Sequence, residues 1–163
     1  MEIKSVLTDS SGKDFEVLYR DIDSIAELEG RAVSGVHAYC FLGSKLVIVY
    51  AAGKQSWTPP GGGVENNETL EEAVAREVEE ETNMKVVKQA LIGFQDIILP
   101  TGTITQTRSV CIVEPYGEFV ADPDSDITEM RLIDPAEYKQ YFDWGEVGDR
   151  AIQRALELRD TLG

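Results

Sequence analysis

Three glutamates, Glu77, Glu80 and Glu81, are the side chains of this sequence best suited to metal chemistry. On a helix that turns by about 100° per residue, they lie on or beside one face. The apolar residues of that face are Leu70, Ala73, Val74 and Met84. Carboxylates on a core-facing stripe lose hydration and repel one another, so they need a compensating charge. Arg76 can offset one of them, whereas Mg²⁺ or Mn²⁺ can offset all three, because these ions prefer oxygen ligands. We therefore predict that Glu77, Glu80 and Glu81 form a divalent metal site.

A glycine-rich stretch with the sequence WTPPGGG occupies residues 57–63, shortly before the glutamates. Gly61, Gly62 and Gly63 allow close approach of the backbone to a ligand, and their amide groups can point at an anion. A glycine cluster alone is typical of a turn, but beside a carboxylate helix it indicates a site for a metal-bound phosphate or diphosphate. We predict that these three glycines bind the substrate.

One helix and several strands must position these residues. The strongest predicted helix covers residues 69–82, because Thr69 and Glu72 fit a capping box and Asn83 suits the left-handed conformation that ends a helix. Strands are predicted at residues 3–8, 15–19, 33–42, 46–52, 86–99, 103–113 and 127–133. Turns are predicted at residues 10–12, 43–44 and 100–102, and further helices at residues 23–28, from Asp134 onward, and at about 145–162. Prolines and glycines should keep residues 57–63 out of helices and central strands. Interleaved elements without strict alternation predict an α/β fold with a mixed sheet between helices.

The overall composition restricts the class of partner. The chain has 163 residues, which fits one domain over residues 1–163, and its formal net charge is −15. Such a charge repels a phosphate backbone, so we expect no nucleic-acid partner, and an anionic substrate would need a mediating cation. Because no apolar run approaches the roughly 18 residues of a membrane span, we expect no membrane partner. The first ten residues lack a signal-like apolar stretch, so we expect a cytoplasmic protein.

The remaining reactive side chains suggest ordinary structural roles. Cys40 and Cys111 lie in no CxxC pattern and are expected to be reduced, buried thiols. His37 is the only histidine, which excludes an HExxH zinc site and favours a structural role. Arg20, Lys54 and Arg108 could contact phosphate, but as isolated cations they are expected on the solvated surface. The aromatic residues that could stack on a base, although core packing is their default, are Trp57, Tyr50 and Phe94.

Residues 62–84 resemble the signature of the Nudix hydrolases, G-x5-E-x7-R-E-U-x-E-E-x-G-U, where U is bulky and aliphatic. The matching residues are Gly62, Glu68, Arg76, Glu77, Val78, Glu80, Glu81, Asn83 and Met84. Trp57, Pro60 and Gly61 resemble the segment that commonly precedes the signature. Asn83 replaces the family glycine, and the helix end is expected to survive because asparagine tolerates the left-handed conformation.

The resemblance implies an α/β/α sandwich with a mixed β-sheet and hydrolysis of a nucleoside diphosphate linked to another moiety. It implies that Glu77, Glu80 and Glu81 bind Mg²⁺ or Mn²⁺, which would activate a water molecule for attack on phosphorus. The catalytic residues carried over are Glu80, Glu81, Arg76 and Glu68, the last two ordering the loop and the helix carboxylates. The proton acceptor stays open between a glutamate of the signature and a later residue, Asp126 or Glu129.

Several alternatives stay open for the small-molecule substrate and the activity. A proline at the position of Pro100 is typical of relatives that cleave ADP-ribose, while a nucleoside triphosphate is equally compatible with the signature. The chain could instead be a catalytically inactive nucleotide-binding regulatory module, although the intact glutamate cluster favours turnover. An isomerase acting on isopentenyl diphosphate would need Cys40 or Cys111 at its site, and nothing near them supports this. The last predicted helix suits either the core or a homodimer interface.

Overall fold

The computed structural model of the chain describes residues 2–9 and 11–162. Its strands are β1 (Glu2–Thr8), β2 (Asp14–Asp21), β3 (Val33–Leu42), β4 (Lys45–Ala51), β5 (Ser56–Thr58), β6 (Gly61–Gly63), β7 (Met84–Leu99), β8 (Gly102–Pro115) and β9 (Ile127–Ile133). Its helices are α1 (Leu70–Thr82) and α2 (Gly145–Leu162), with two short 3-10 helices at Ile25–Leu28 and Pro135–Gln140. Across residues 2–9 and 11–162, neither helix is long and apolar enough to cross a membrane.

The strands form one mixed sheet in the order β1-β2-β7-β8-β3-β4-β5. β3 and β8 run parallel at its centre, and the other described pairs are antiparallel. β6 pairs with one half of β3, while β4 pairs with the other half and also with β9. β3 therefore has β8 on one side and both β4 and the glycine strand β6 on the other.

The two faces of the sheet are buried by different helices. Along β3, side chains alternate between faces, as in any extended strand. Val36, Ala38 and Cys40 pack against α1. Tyr39 and Phe41 pack against α2, whose apolar side chains are buried with them. This arrangement confirms the predicted α/β/α sandwich with a mixed sheet, and it assigns the apolar face of α2 to the core.

Local signals predicted α1 and its ends correctly. The Thr69 hydroxyl accepts from the Glu72 amide and the Glu72 carboxylate accepts from the Thr69 amide, both at 3.1 Å. Asn83 adopts φ 56° and ψ 38°, the left-handed conformation expected at the helix end. Two details of the predicted stripe differ. Met84 is buried but begins β7, and Val78 takes its place in the buried face of the helix.

Other predicted elements are confirmed with shifted bounds. The turns at residues 43–44 and 100–102 join β3 to β4 and β7 to β8. The turn predicted at residues 10–12 begins at Ser10, which lies outside the described residues. Residues 57–63 contain parts of the short strands β5 and β6, neither of which is a central strand. Asp134 caps a 3-10 helix rather than an α-helix, through a 3.0 Å bond from the Ala136 amide.

Candidate active site at the glutamate helix

The glycine strand β6 lies closely against β3 and α1. A Cβ atom on Gly61 would come within 2.2 Å of the Val36 carbonyl oxygen. On Gly62 it would lie 2.5 Å from the Glu77 carboxyl carbon, whereas on Gly63 the nearest atom, the carbonyl oxygen of Ser34, would be 3.8 Å away. Gly61 is therefore required by a close backbone contact, Gly62 leaves room for the present position of the Glu77 carboxylate, and Gly63 meets no such constraint.

Arg76 connects the glycine strand, the preceding loop and the helix carboxylates. Its Nε and Nη2 donate to the two oxygens of Glu68 at 2.7 and 2.9 Å, and Nη2 also donates to the Gly63 carbonyl at 2.8 Å. Its Nη1 donates to Glu77 at 2.8 Å and, more weakly, to Glu80 at 3.4 Å. The predicted ordering role of Arg76 and Glu68 agrees with this geometry, because one guanidinium fixes both the loop and the start of the carboxylate cluster.

The three predicted metal ligands differ in their surroundings. The Glu77 side chain is 12% exposed and lies beside Gly62, whereas the Glu80 side chain is 58% exposed. Glu81 is half-buried, and its Oε1 accepts from the Gly61 amide at 2.8 Å. Within residues 2–9 and 11–162, no three acidic, histidine or cysteine side chains converge as a preformed metal cage. Arg76 and Gly61 hold the two inner carboxylates, while Glu80 faces solvent.

The electrostatics of the cluster show an excess of negative charge. Hydrogen bonds from Arg76 and the Glu65 amide lower the pKa of Glu68 to about 2. Burial raises the pKa of Glu77, and burial together with the charges of Glu77 and Glu80 raises the pKa of Glu81 to about 7. These carboxylates also lie near the C-terminal end of α1, where negative charge opposes the helix dipole, and the last turn contains no basic residue to offset them. A cluster of oxygen donors with uncompensated charge fits a hard divalent cation.

A cavity of about 840 Å³ opens beside this cluster. Gly61 and Glu81 line it, together with Lys54 and the side chain of Trp57. Further wall residues come from β8, from the start of β9 and from the segment before α2: Gln106, Arg108, Asp126, Tyr141, Phe142 and Trp144. The cavity falls within the size range of small-molecule sites. Of the three predicted substrate-binding glycines, Gly61 is the one that lines this cavity.

The two later-loop candidates for the proton acceptor are separated by the structure. Asp126 lines the cavity, and its Oδ1 accepts from the Gly53 amide at 2.6 Å. Glu129 is exposed on β9, opposite Tyr50, and is not part of the cavity wall. The geometry thus places Asp126 in the same cavity wall as Glu81 and leaves Glu129 outside.

Sequence reasoning missed one buried cation. Arg108 was expected on the surface, but it is 3% exposed on β8 and lines the cavity, so that expectation was wrong. His37, its neighbour across the β3–β8 pair, also lines the cavity. Strand alternation could have located Arg108, because it precedes the core residue Val110 by two positions and so shares its face. The free cysteines Cys40 and Cys111 are buried as expected.

Comparison with known proteins points to one family. The NUDIX domain family model matches residues 33–155. The chain is 33% identical over 95 residues to Phosphatase NudJ of Escherichia coli strain K12, and the match covers 54% of this chain and 58% of NudJ. The chain therefore spans little more than half the length of the curated relatives it matches.

Solved structures show the same fold at low sequence identity. The pyrophosphohydrolase BsRppH of Bacillus subtilis has a TM-score of 0.72 and 18% identity, with 98% of this chain and 99% of BsRppH covered. A NUDIX hydrolase from Nitrosomonas europaea has a TM-score of 0.57 and 17% identity, with 80% of this chain and 91% of that chain covered. These likenesses concern the fold, and the family match agrees with residues 62–84.

Proposed function

The chain belongs to the Nudix hydrolase family, and we propose that it is a metal-dependent pyrophosphohydrolase acting on a nucleoside diphosphate linked to another moiety. One observation carries this proposal. The half-buried carboxylate of Glu81, with a pKa raised to about 7, lies at the wall of a cavity of nucleotide size. Glu77 and Glu80 lie beside it, and Arg76 is their one close cationic partner among the described residues.

We propose that Glu77, Glu80 and Glu81 hold Mg²⁺ or Mn²⁺ in this enzyme. Nudix hydrolases generally use divalent metal ions, and the donor set here consists of carboxylate oxygens, which these ions prefer. The bound cation would supply positive charge that neutralises the diphosphate and lowers the pKa of the attacking water. Glu80 is the ligand best able to reorient, because its side chain is exposed and its contact with Arg76 is long.

The chain's own residues divide the remaining work in this proposal. Arg76 fixes Glu68 and Glu77, so that one inner carboxylate keeps its position without a ligand. The Gly61 amide fixes one oxygen of Glu81 and leaves the other to contact the cation or accept a proton. Proton acceptance by a carboxylate is favoured when its pKa lies near the working pH. The raised pKa therefore favours Glu81 as the proposed acceptor. Asp126 is the second proposed acceptor because it also lines the cavity.

We further propose that the whole chain acts as one domain on a small nucleotide derivative, without a nucleic-acid or membrane partner. Pairing of β1 with β2 and of β2 with β7 supports inclusion of residues before 33 in the same unit. The cavity supports a nucleotide-sized ligand, and the net charge of −15 disfavours nucleic acid. Pro100 lies in the tight β7–β8 turn away from the cavity wall, so it gives no support to an ADP-ribose substrate.

A regulatory module that binds a nucleotide without turnover is the second candidate. It is favoured by the lack of a preformed three-carboxylate cage among residues 2–9 and 11–162. Such a module would still bind a nucleotide in the cavity. It would have no reason to keep inner carboxylates whose pKa values are raised by burial and mutual repulsion.

The test is a hydrolysis panel with excess Mg²⁺ or Mn²⁺ and a parallel series in EDTA. The panel contains ADP-ribose, dinucleoside polyphosphates, nucleotide sugars, deoxynucleoside triphosphates and their oxidised forms, with phosphate release coupled to a phosphatase where needed. We expect turnover of one class with metal and none in EDTA. Nucleotide binding without any turnover would contradict the proposal and favour the regulatory module.

A further inference from the structure

Arg108 is a buried guanidinium without an acidic partner. It is 3% exposed, and in the described part of the chain no carboxylate lies within ion-pairing distance of its nitrogens. Its Nη1 donates to the Thr107 carbonyl at 3.2 Å and contacts His37 Nδ1 at 3.3 Å, while its Nε has no hydrogen-bond partner. A buried charge without a counter-charge and with an unpaired donor is costly unless a ligand supplies both.

Two other arginines of the same protein show the usual arrangement. Arg150 pairs with Asp21 at 2.6 Å, and Arg154 is bound by Asp23 and the Ile22 carbonyl. The chain contains 30 acidic residues against 15 basic ones, so acidic side chains are abundant. Arg108 therefore lacks an acidic partner because of its surroundings in this cavity, and not because the chain is short of acidic residues.

The neighbours of Arg108 leave its positive charge uncompensated. Burial and the adjacent charges of Arg108 and Lys54 hold the pKa of His37 well below its usual range, so the imidazole is neutral. Because arginine only donates, His37 Nδ1 accepts in this contact. The centroid of the Trp144 ring lies 5.4 Å from the guanidinium carbon, a cation–π contact that leaves the positive charge in place. The Nε is buried without a hydrogen-bond partner, and the side chain of which it is part lines the cavity.

The acidic residues of the cavity wall are engaged elsewhere. Glu81 accepts from the Gly61 amide, Asp126 from the Gly53 amide and Asp143 from the Gly145 amide. Each bond occupies one oxygen of its carboxylate with a backbone amide. The wall thus has a carboxylate side around Glu81 and a cationic side around Arg108.

We propose that Arg108 binds a phosphate oxyanion of the substrate that is distinct from the scissile diphosphate held at the glutamate helix. The inference rests on the proposed function and narrows its substrate class. A nucleotide with at least three phosphates supplies such a group, whereas a diphosphate ester of a neutral sugar does not. The planar guanidinium fork matches the geometry of phosphate oxygens, and such a fork can bind them while it contacts an aromatic ring.

The first experiment measures anion binding without metal or turnover. The full chain in EDTA is titrated with inorganic phosphate and tripolyphosphate at constant ionic strength, adjusted with sodium chloride. Calorimetry follows binding, and the ¹H–¹⁵N resonance of Arg108 Nε reports contact directly. We expect a saturable shift of that resonance in the wild-type protein. The absence of any saturable shift would overturn the proposal, and this readout needs no variant to fold.

Arg108→Met and Arg131→Met form a matched pair of variants. Arg131 is exposed and also lies over aromatic rings, those of Trp57 and Tyr141, but it does not line the cavity. We expect Arg108→Met to weaken phosphate binding at least about tenfold and Arg131→Met to leave it unchanged. Unfolding midpoints should be equal or higher for Arg108→Met, because a buried unpaired charge is removed. Retained phosphate binding, or a strongly lowered midpoint that marks a structural role, would overturn the proposal.

A second readout separates this inference from the proposed function. Once turnover is established, kcat/KM is compared for a nucleoside triphosphate and the matching diphosphate. Arg108→Met should lower the triphosphate value at least about tenfold more than the diphosphate value, and equal losses would contradict the inference. If no hydrolysis occurs at all, the metal-free phosphate titration still decides the role of Arg108, so the two failures are distinguishable.

Discussion

Replacing Gly61 by alanine should destabilise the protein because two backbones meet at this residue. The added Cβ would lie 2.2 Å from the Val36 carbonyl oxygen and 2.7 Å from His37 Cδ2. Relief requires β6 to move by about 1 Å, which also stretches the 2.8 Å bond from the Gly61 amide to Glu81. Overpacking costs about 1–3 kcal/mol and a weakened charged hydrogen bond about 1.5 kcal/mol or more, so we expect a loss of about 3 kcal/mol.

The two neighbouring glycines provide matched controls within the same strand. Alanine at Gly63 meets only an ordinary 3.8 Å contact, so the free energy of unfolding should change by less than about 0.5 kcal/mol. Alanine at Gly62 meets the carboxylate of Glu77, which can swing away from Arg76. This variant should stay folded but lose hydrolytic activity, because a proposed metal ligand is displaced.

Thermal and urea unfolding measure the three variants side by side. For a chain of this length, about 3 kcal/mol corresponds to a drop of roughly 6–12 °C in the unfolding midpoint. None of the three residues has a positive φ, so backbone strain does not confuse the comparison. Wild-type stability of Gly61→Ala, or an equal loss in Gly63→Ala, would contradict a steric clash at Gly61 as the cause.

Three further predictions concern the ends and charges of the site. In EDTA, the free energy of unfolding of the wild type should fall relative to that of Glu81→Gln as the pH rises from about 4.5 to 7, because the pKa of Glu81 is raised in the folded state. Urea unfolding at each pH measures this, and a constant difference between the two proteins would contradict it. The pH dependence for Glu68 has the opposite sign, because its pKa is lowered to about 2 in the folded state. The ionised Glu68 stabilises the fold at neutral pH, so the advantage in unfolding free energy of the wild type over Glu68→Gln should disappear as the pH falls from about 4.5 toward 2. At the helix end, Asn83→Ala should lower the free energy of unfolding by about 1 kcal/mol, because residue 83 has a φ of 56°. Asn83→Gly should lower it less, although it also loses the hydrogen bond to the Glu118 carbonyl. Equal losses in denaturant unfolding would exclude a conformational cause.

The parts of the site that the sequence predicted are those set by local geometry. The convergence of Glu77 and Glu81 on the inner side of α1 follows from helical periodicity, and the end at Asn83 follows from its tolerance of a left-handed conformation. The hydrogen bonds of Arg76 span eight residues or fewer on the helix and its entry loop, apart from the bond to Gly63. Periodicity overextended the stripe at Met84, because the helix ends at Thr82, two residues before it.

The parts that could not be predicted depend on pairing between distant segments. Alternation along β8 indicates the face on which Arg108 lies, but its place beside His37 depends on the parallel register of β8 and β3, which joins segments 71 residues apart. The cavity takes its walls from β1, β3, β8, β9 and the segment before α2, which no local pattern links. Likewise, the short strand β6 exists because Gly61–Gly63 pairs with β3, although its residues have low intrinsic strand propensity.

Metal-dependent hydrolysis at α1 is tested by the dependence of the rate on Mg²⁺ in glutamine variants of neighbouring glutamates. Glu80→Gln and Glu81→Gln are compared with Glu79→Gln, whose parent side chain is exposed and contacts Tyr116 at 3.4 Å. Initial rates on the best substrate are measured across Mg²⁺ concentrations. We predict rates reduced at least about a hundredfold in the first two variants and unchanged in Glu79→Gln. Wild-type rates in Glu80→Gln and Glu81→Gln, or full activity in EDTA, would contradict metal-dependent hydrolysis at this helix.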